Sequence, residues 1–102
     1  MLINFNQKLI HLDGEPIKNQ EKKDVTLLDA CVNSLLSMTN ENIDGVEKLA
    51  RYKLAQKISD SEGEEASVEV TVEEISKIKK LVGMVQGPLT VGPVYQLLEG
   101  AE

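Results

Sequence analysis

Ile3 and Phe5 alternate with Asn4 and Asn6, the period of a half-buried strand, and a second apolar cluster follows at Leu9, Ile10 and Leu12. Asp13-Gly14 then supplies a turn signal, because Gly tolerates positive φ and Asp can hydrogen-bond the local backbone. Together these predict a β-hairpin over residues 1–17, with Pro16 confining the return to an edge. Residues 18–24 (KNQEKKD) carry no apolar side chain and predict an exposed loop.

From Thr26 the apolar period changes to that of a helix. Leu28, Cys31, Val32, Leu35 and Leu36 share a face, and Thr26 can cap a helix over 26–38 with Asp29 in its first turn. Asn42 or Asp44 can cap a second helix over 45–59, whose stripe is Val46, Leu49, Ala50, Leu54 and Ile58; the Glu47/Arg51 pair falls outside it. The small, acidic stretch SDSEGEEAS at 59–67 predicts a linker. Val68, Val70 and Val72 alternate with Glu69 and Thr71, so residues 68–72 are a candidate third strand beside the hairpin.

Thr71 and Glu74 have the spacing of a capping box at the head of a third helix, 72–86, with Ile75, Ile78, Val82 and Val85 inward and Lys77, Lys79 and Lys80 toward solvent. Gly87-Pro88 is expected to end it, with Gly87 left-handed. A fourth helix over 90–99 would be capped by Thr90 and hold Pro93 in its first turn, where a missing amide costs little. Residues 100–102 are expected to fray, and no internal repeat is visible. The fold class predicted is α+β: one domain over residues 1–99, a small antiparallel sheet and four helices.

Composition narrows the chemistry. The 102 residues carry 17 acidic and 11 basic side chains, a formal net charge of −6, and the last 42 hold eight of the acidic groups against three lysines. Nucleic-acid binding is not expected, because it needs clustered cations to displace counterions from phosphates. No apolar run approaches the roughly 20 residues that cross a bilayer, and residues 1–12 lack a signal peptide's long apolar core, so a soluble cytoplasmic protein is expected. A single Cys cannot close an intramolecular disulfide.

Candidate catalytic groups do not converge. Cys31 falls on an apolar helix face, where free Cys packs as a small hydrophobe, and His11 is the one His. That pair leaves a zinc site two ligands short. Glu62, Glu64 and Glu65 lack the alternating ligands of a calcium loop, and Gly83, Gly87 and Gly92 lack the Lys and Ser/Thr of a phosphate loop. No catalytic, cofactor or metal-binding residue, and no small-molecule substrate, is therefore assigned. The site expected instead is an interaction surface on the last helix, Leu89, Tyr95 and Leu97: Val91, Val94, Tyr95 and Leu98 form one face, Leu89 and Leu97 lie away from its centre, and Tyr95 adds a large side chain whose hydroxyl can stay wet. Its occupant would be a partner protein or a second copy of the chain.

TLLDACVNSLL at 26–36, EKLARYKLAQKI at 47–58 and EEISKIKKLVGMVQGPLTVGPVYQLLE at 73–99, after an Asp-Gly turn, resemble in layout small proteins encoded by tailed bacteriophages and prophages. The resemblance implies a viral or prophage origin and a setting in the host bacterial cytoplasm or the virion. It implies no mechanism. The function expected is a non-enzymatic protein-binding factor, in its most concrete form a tail-assembly accessory protein; the alternatives are an acidic inhibitor of a host nucleic-acid-binding or defence protein, and a small enzyme.

Overall fold

The computed structural model describes residues 2–10, 12–18, 20–39, 42–61 and 67–100. His11, the centre of the expected 59–67 linker and the last two residues of the expected tail lie outside them. In chain order the elements are β1 (Leu2–Ile3), α1 (Leu27–Leu36), α2 (Gly45–Ser59), β2 (Val68–Glu69), α3 (Val72–Val85) and α4 (Pro88–Gly100). The class is α+β with mostly helix.

The sheet has two strands, antiparallel, with Leu2 opposite Glu69 and Ile3 opposite Val68. β1 thus pairs with the segment expected as an additional strand, and no third strand is present among the described residues. The chain does reverse at Asp13-Gly14, but the hairpin expected over 1–17 survives only as an isolated bridge between Ile10 and Pro16.

That bridge is one side of a closed triangle. Ile17 N–H donates to the Leu9 carbonyl, Val25 N–H to that of Ile17 and Leu9 N–H to that of Val25, at 2.8, 2.8 and 2.9 Å. Bridges join Ile10 to Pro16, Lys18 to Asp24 and Lys8 to Thr26, so each corner recurs every eight residues. The two turns between corners repeat as well: Gly14 has φ +87° and Lys22, eight residues on, has φ +62°. An eight-residue period therefore does run through the segment read as hairpin and loop. Asp24 closes it electrostatically, lying 2.9 Å from Lys8 and 3.0 Å from Lys18 of the other two corners. Hydrogen bonds from these two lysines hold its carboxyl below the usual range.

The triangle delivers the chain into α1. Every first-turn amide of α1 finds an acceptor: Thr26 N–H at Asp29 Oδ2 and Asp29 N–H at Thr26 Oγ1, a capping box, and Leu27 and Leu28 N–H at the carbonyls of Gln7 and Phe5. Phe5, Leu9, Leu27 and Cys31 are fully buried, and α1 is the helix that α2, α3 and α4 all contact. Its buried Ser34 hydroxyl is satisfied by the Ala30 carbonyl at 2.8 Å. α1 ends at Leu36, two residues before its expected end, where Ser37 turns extended.

α2 runs over the expected residues under an Asp44 cap, but its faces differ from the expected stripe. Leu54, Ala55 and Ile58 are buried with Arg51, whereas Val46 and Leu49 face solvent. Arg51 goes inward because its stem packs like an aliphatic chain while its Nε donates to Glu47 Oε1 at 3.2 Å. α3 begins with the expected Thr71/Glu74 capping box and buries Ile75, Ile78, Leu81 and Val82. Of its three lysines Lys80 is exposed, whereas Lys77 and Lys79 are half-buried, Lys77 reaching Glu47 and Lys79 reaching Glu99.

The α3–α4 junction departs from expectation in two ways. Gln86 turns extended to end α3, and Gly87, whose φ is not positive, accepts the first α4 amides, Thr90 and Val91, on its carbonyl. Pro88 takes the first helical position, which requires no amide. Pro93 consequently lies within the helix rather than in its first turn, and the bond its nitrogen would have made to the Leu89 carbonyl is missing. No described helix is long and apolar enough to cross a membrane.

Candidate functional site

Exposed apolar side chains among the described residues lie at the end of α1, in the connection after it and on the outer side of α2. Met38 is 100% exposed, Val46 78%, Tyr52 55%, Leu36 54% and Leu49 51%. The cause lies in the two helices. α1 ends at Leu36 on an extended turn, which carries Met38 outward, and α2 has apolar residues on two faces but only one that reaches the core. Val46, Leu49 and Tyr52 succeed one another at intervals of three on the uncovered face.

Beside this stripe lies a cavity of about 530 Å³ between the end of α1, the following connection and α2, with Leu36, Met38, Ile43 and Tyr52 in its walls. Two further cavities, of about 190 and 430 Å³, share Leu36 with it and share Val32 and Ser59 with one another. The three form a continuous trough along the seam, and Asp29 and Asp60 stand at the end away from Met38.

The cavity near Met38 also has polar components. Buried Arg51 lines it, paired through Glu47, on which Lys77 converges at 3.4 Å. Burial pushes the Glu47 carboxyl up, but the hydrogen bond from Arg51 and the charge and hydrogen bond of Lys77 outweigh it, and the group lies below its usual range. Thr39 Oγ1 is buried in the same wall without a hydrogen-bond partner among the described residues. Lys48 lines the cavity and Lys53 stands one turn beyond Leu49; both are exposed and neither makes an ion pair within the described residues.

The surface expected on α4 is not gathered in this way. Leu89 is exposed and lines a separate cavity of about 490 Å³ with Ile10, Leu12 and Pro93. Tyr95 and Leu97 are half-buried against the core, and the Tyr95 hydroxyl donates to the Lys79 carbonyl at 2.6 Å instead of remaining free for a partner. The exposed face of α2 is hidden in the sequence because Val46 and Leu49 sit at core spacing. The available signal was an excess of apolar residues on α2 together with an arginine at a buried register.

Cys31 is fully buried, and burial pushes its thiol up to about 12, so it holds its proton at neutral pH. Among the described residues no three His, Cys, Asp or Glu side chains are grouped so as to hold a metal ion. Comparison with family profiles, with curated proteins and with solved structures gave no match to the chain.

Proposed function

We propose that this chain is a non-enzymatic factor that works by docking another protein in the trough between α1 and α2. The observation that carries the proposal is the exposed apolar side chains of Leu36, Met38 and Tyr52 in the walls of adjoining cavities, with Val46 and Leu49 exposed on the same helix as Tyr52. Covering such side chains contributes roughly 1.5 kcal/mol or more each, and monomeric proteins seldom leave them contiguous without a use. The layout resemblance to small tailed-phage proteins supports a role in a phage life cycle, with virion tail assembly as its most concrete form.

Capture from infected or lysogenic cells tests this reading when wild type is run beside Met38→Ser/Leu49→Ser, two exposed positions whose exchange should leave the fold intact. The expected result is a virion component retained by wild type and lost by the variant. A host nucleic-acid-binding or defence protein, lost in the same way, would transfer the function to inhibition. Identical captures by both chains would remove the trough from the function.

A further inference from the structure

We infer that in the isolated chain the trough is covered by the trough of a second copy turned end for end, a dimer that a docked partner displaces; the assignment rests on the docking role proposed above. The seam has a direction. The end of α1 and the first turns of α2 wall one end of it, and the first turn of α1 and the last turn of α2 wall the other. Among the described residues, the charged groups in these walls are Lys48 and Arg51 at the first end and Asp29 and Asp60 at the second. Arg51 is buried and held by Glu47. Lys48, Asp29 and Asp60 are exposed and make no ion pair within the described residues. Between the two ends, Leu36 lines all three cavities and Tyr52 two of them, so these side chains, 54% and 55% exposed, form an apolar middle.

A surface that is positive at one end, negative at the other and apolar between is complementary to itself. A twofold rotation about an axis through the Leu36/Tyr52 middle reverses the seam, so that Lys48 of each copy comes over the carboxylate end of the other. Apolar contact falls on apolar contact at the axis, and Met38, fully exposed at the Lys48 end, comes over the cavities at the opposite end. Stacking in the same direction would set lysine against lysine and carboxylate against carboxylate. Because each copy carries a net charge of −6, association needs this local pairing to offset the general repulsion. The seam is about 20 Å long and two helices of about 10 Å across, or roughly 400 Å² per copy, near half of what a standard interface contributes. A dimer of that size is weak and reversible, which leaves the face available to a partner that binds it more tightly.

The test is sedimentation equilibrium of the full chain from about 10 µM to about 1 mM, a range suited to an interface of this area. Three variants run beside it: Lys48→Glu, Asp60→Lys and, as a control, Lys53→Glu, which changes the net charge as Lys48→Glu does but lines none of the three cavities. All three positions are exposed, and the first two reversals suit the dipole of α2, so the fold should persist; circular dichroism checks it. Wild type and Lys53→Glu should dimerise alike, whereas Lys48→Glu and Asp60→Lys should each weaken the dimer by about tenfold or more. An equimolar mixture of Lys48→Glu with Asp60→Lys should regain it as a heterodimer, because both charge pairs are then complementary again. A mixture that does not recover, a dimer indifferent to the two reversals, an equal loss with Lys53→Glu, or species that grow beyond a dimer would each overturn the inference. A chain monomeric throughout the range would overturn it too, while the docking reading would still be decided by the capture comparison with Met38→Ser/Leu49→Ser. A dimer that follows the expected pattern while both of those chains capture the same proteins would uphold the second copy and overturn the docking reading.

Discussion

Gly83 and Tyr95 meet where α4 crosses α3: a Cβ on Gly83 would stand 2.7 Å from the Tyr95 hydroxyl, which donates to the Lys79 carbonyl at 2.6 Å. A glycine inside α3 costs about 1 kcal/mol relative to Ala by propensity alone. Here it leaves room for the tyrosine to reach the backbone one turn earlier, with the Lys79 ammonium 5.8 Å from the ring centre.

That relationship predicts a change of sign in a double-mutant cycle. Gly83→Ala alone should destabilise by about 1 kcal/mol, because the lost hydrogen bond and displaced ring exceed the propensity gain. In a Tyr95→Phe background the same substitution should stabilise by about 0.5–1 kcal/mol, the hydroxyl having been removed. Urea denaturation of the four proteins measures both, and additive effects would show that the contact does not govern Gly83.

The two left-handed turns of the triangle predict opposite outcomes at equivalent positions. Lys22, at φ +62°, is a side-chain-bearing residue in the region that favours glycine, so Lys22→Gly should gain about 0.5 kcal/mol after the entropy of the added glycine is subtracted. Gly14→Ala should lose about 1 kcal/mol although nothing lies within 4 Å of the added Cβ, since the cost is in the backbone. Thermal melts decide it; a loss at Lys22→Gly as large as that at Gly14→Ala would contradict the shared geometry.

What the sequence made readable is what short-range chemistry determines. Thr26, Asp44, Thr71 and Glu74 announce their helices because a cap needs only a side chain and an amide three residues away. The pairing of Leu2–Ile3 with Val68–Glu69 spans more than 60 residues and depends on the helices between them. The triangle escaped because its period shows in the side chains only as one apolar residue in eight, at Leu9, Ile17 and Val25, while its corners are joined by backbone hydrogen bonds and by ion pairs of Asp24 with Lys8 and Lys18 that no local pattern announces. On α2, hydropathy ranks Val46 above Arg51, but the position that faces the core can use the arginine's aliphatic stem and has Glu47 to receive its charge. Val46 and Leu49, assigned to the core, are left outside it, while Leu54 and Ile58 of the same stripe are buried.

Cys31 should behave as a core residue on the alkaline side. Its thiol is raised from 9.0 to about 12 by burial, so the folded state keeps the proton that the unfolded state releases. The stability this supplies is complete below pH 9 and declines as pH rises from 9 toward 12. Wild type should therefore lose more stability between pH 8 and pH 10.5 than Cys31→Ala does, and a thiol reagent at pH 8 should label the native protein far more slowly than the protein in urea. Rapid native labelling would place the thiol at the surface and return it to consideration as a nucleophile.

Glu47 should govern the acid side. It holds two cations, Arg51 Nε at 3.2 Å and Lys77 Nζ at 3.4 Å, and their hold on the carboxylate outweighs the opposing effect of burial, so its pKa is depressed from the ordinary 4.5. A group whose folded pKa is lowered stabilises the protein above its unfolded value, and that contribution is lost as pH falls from about 4.5 through the folded value. Because the Glu47 side chain is about a third exposed, solvent screens part of the attraction, and Glu47→Gln should cost about 1 kcal/mol at pH 7. The cost should shrink as pH falls below 4.5 and approach zero once the wild-type carboxyl is protonated. Denaturation midpoints for both proteins from pH 7 to pH 2.5 test this directly. A difference that persists unchanged at the acid limit would mean that Glu47 supports α2 through packing, and that Arg51 is held in the core by its stem rather than by this charge.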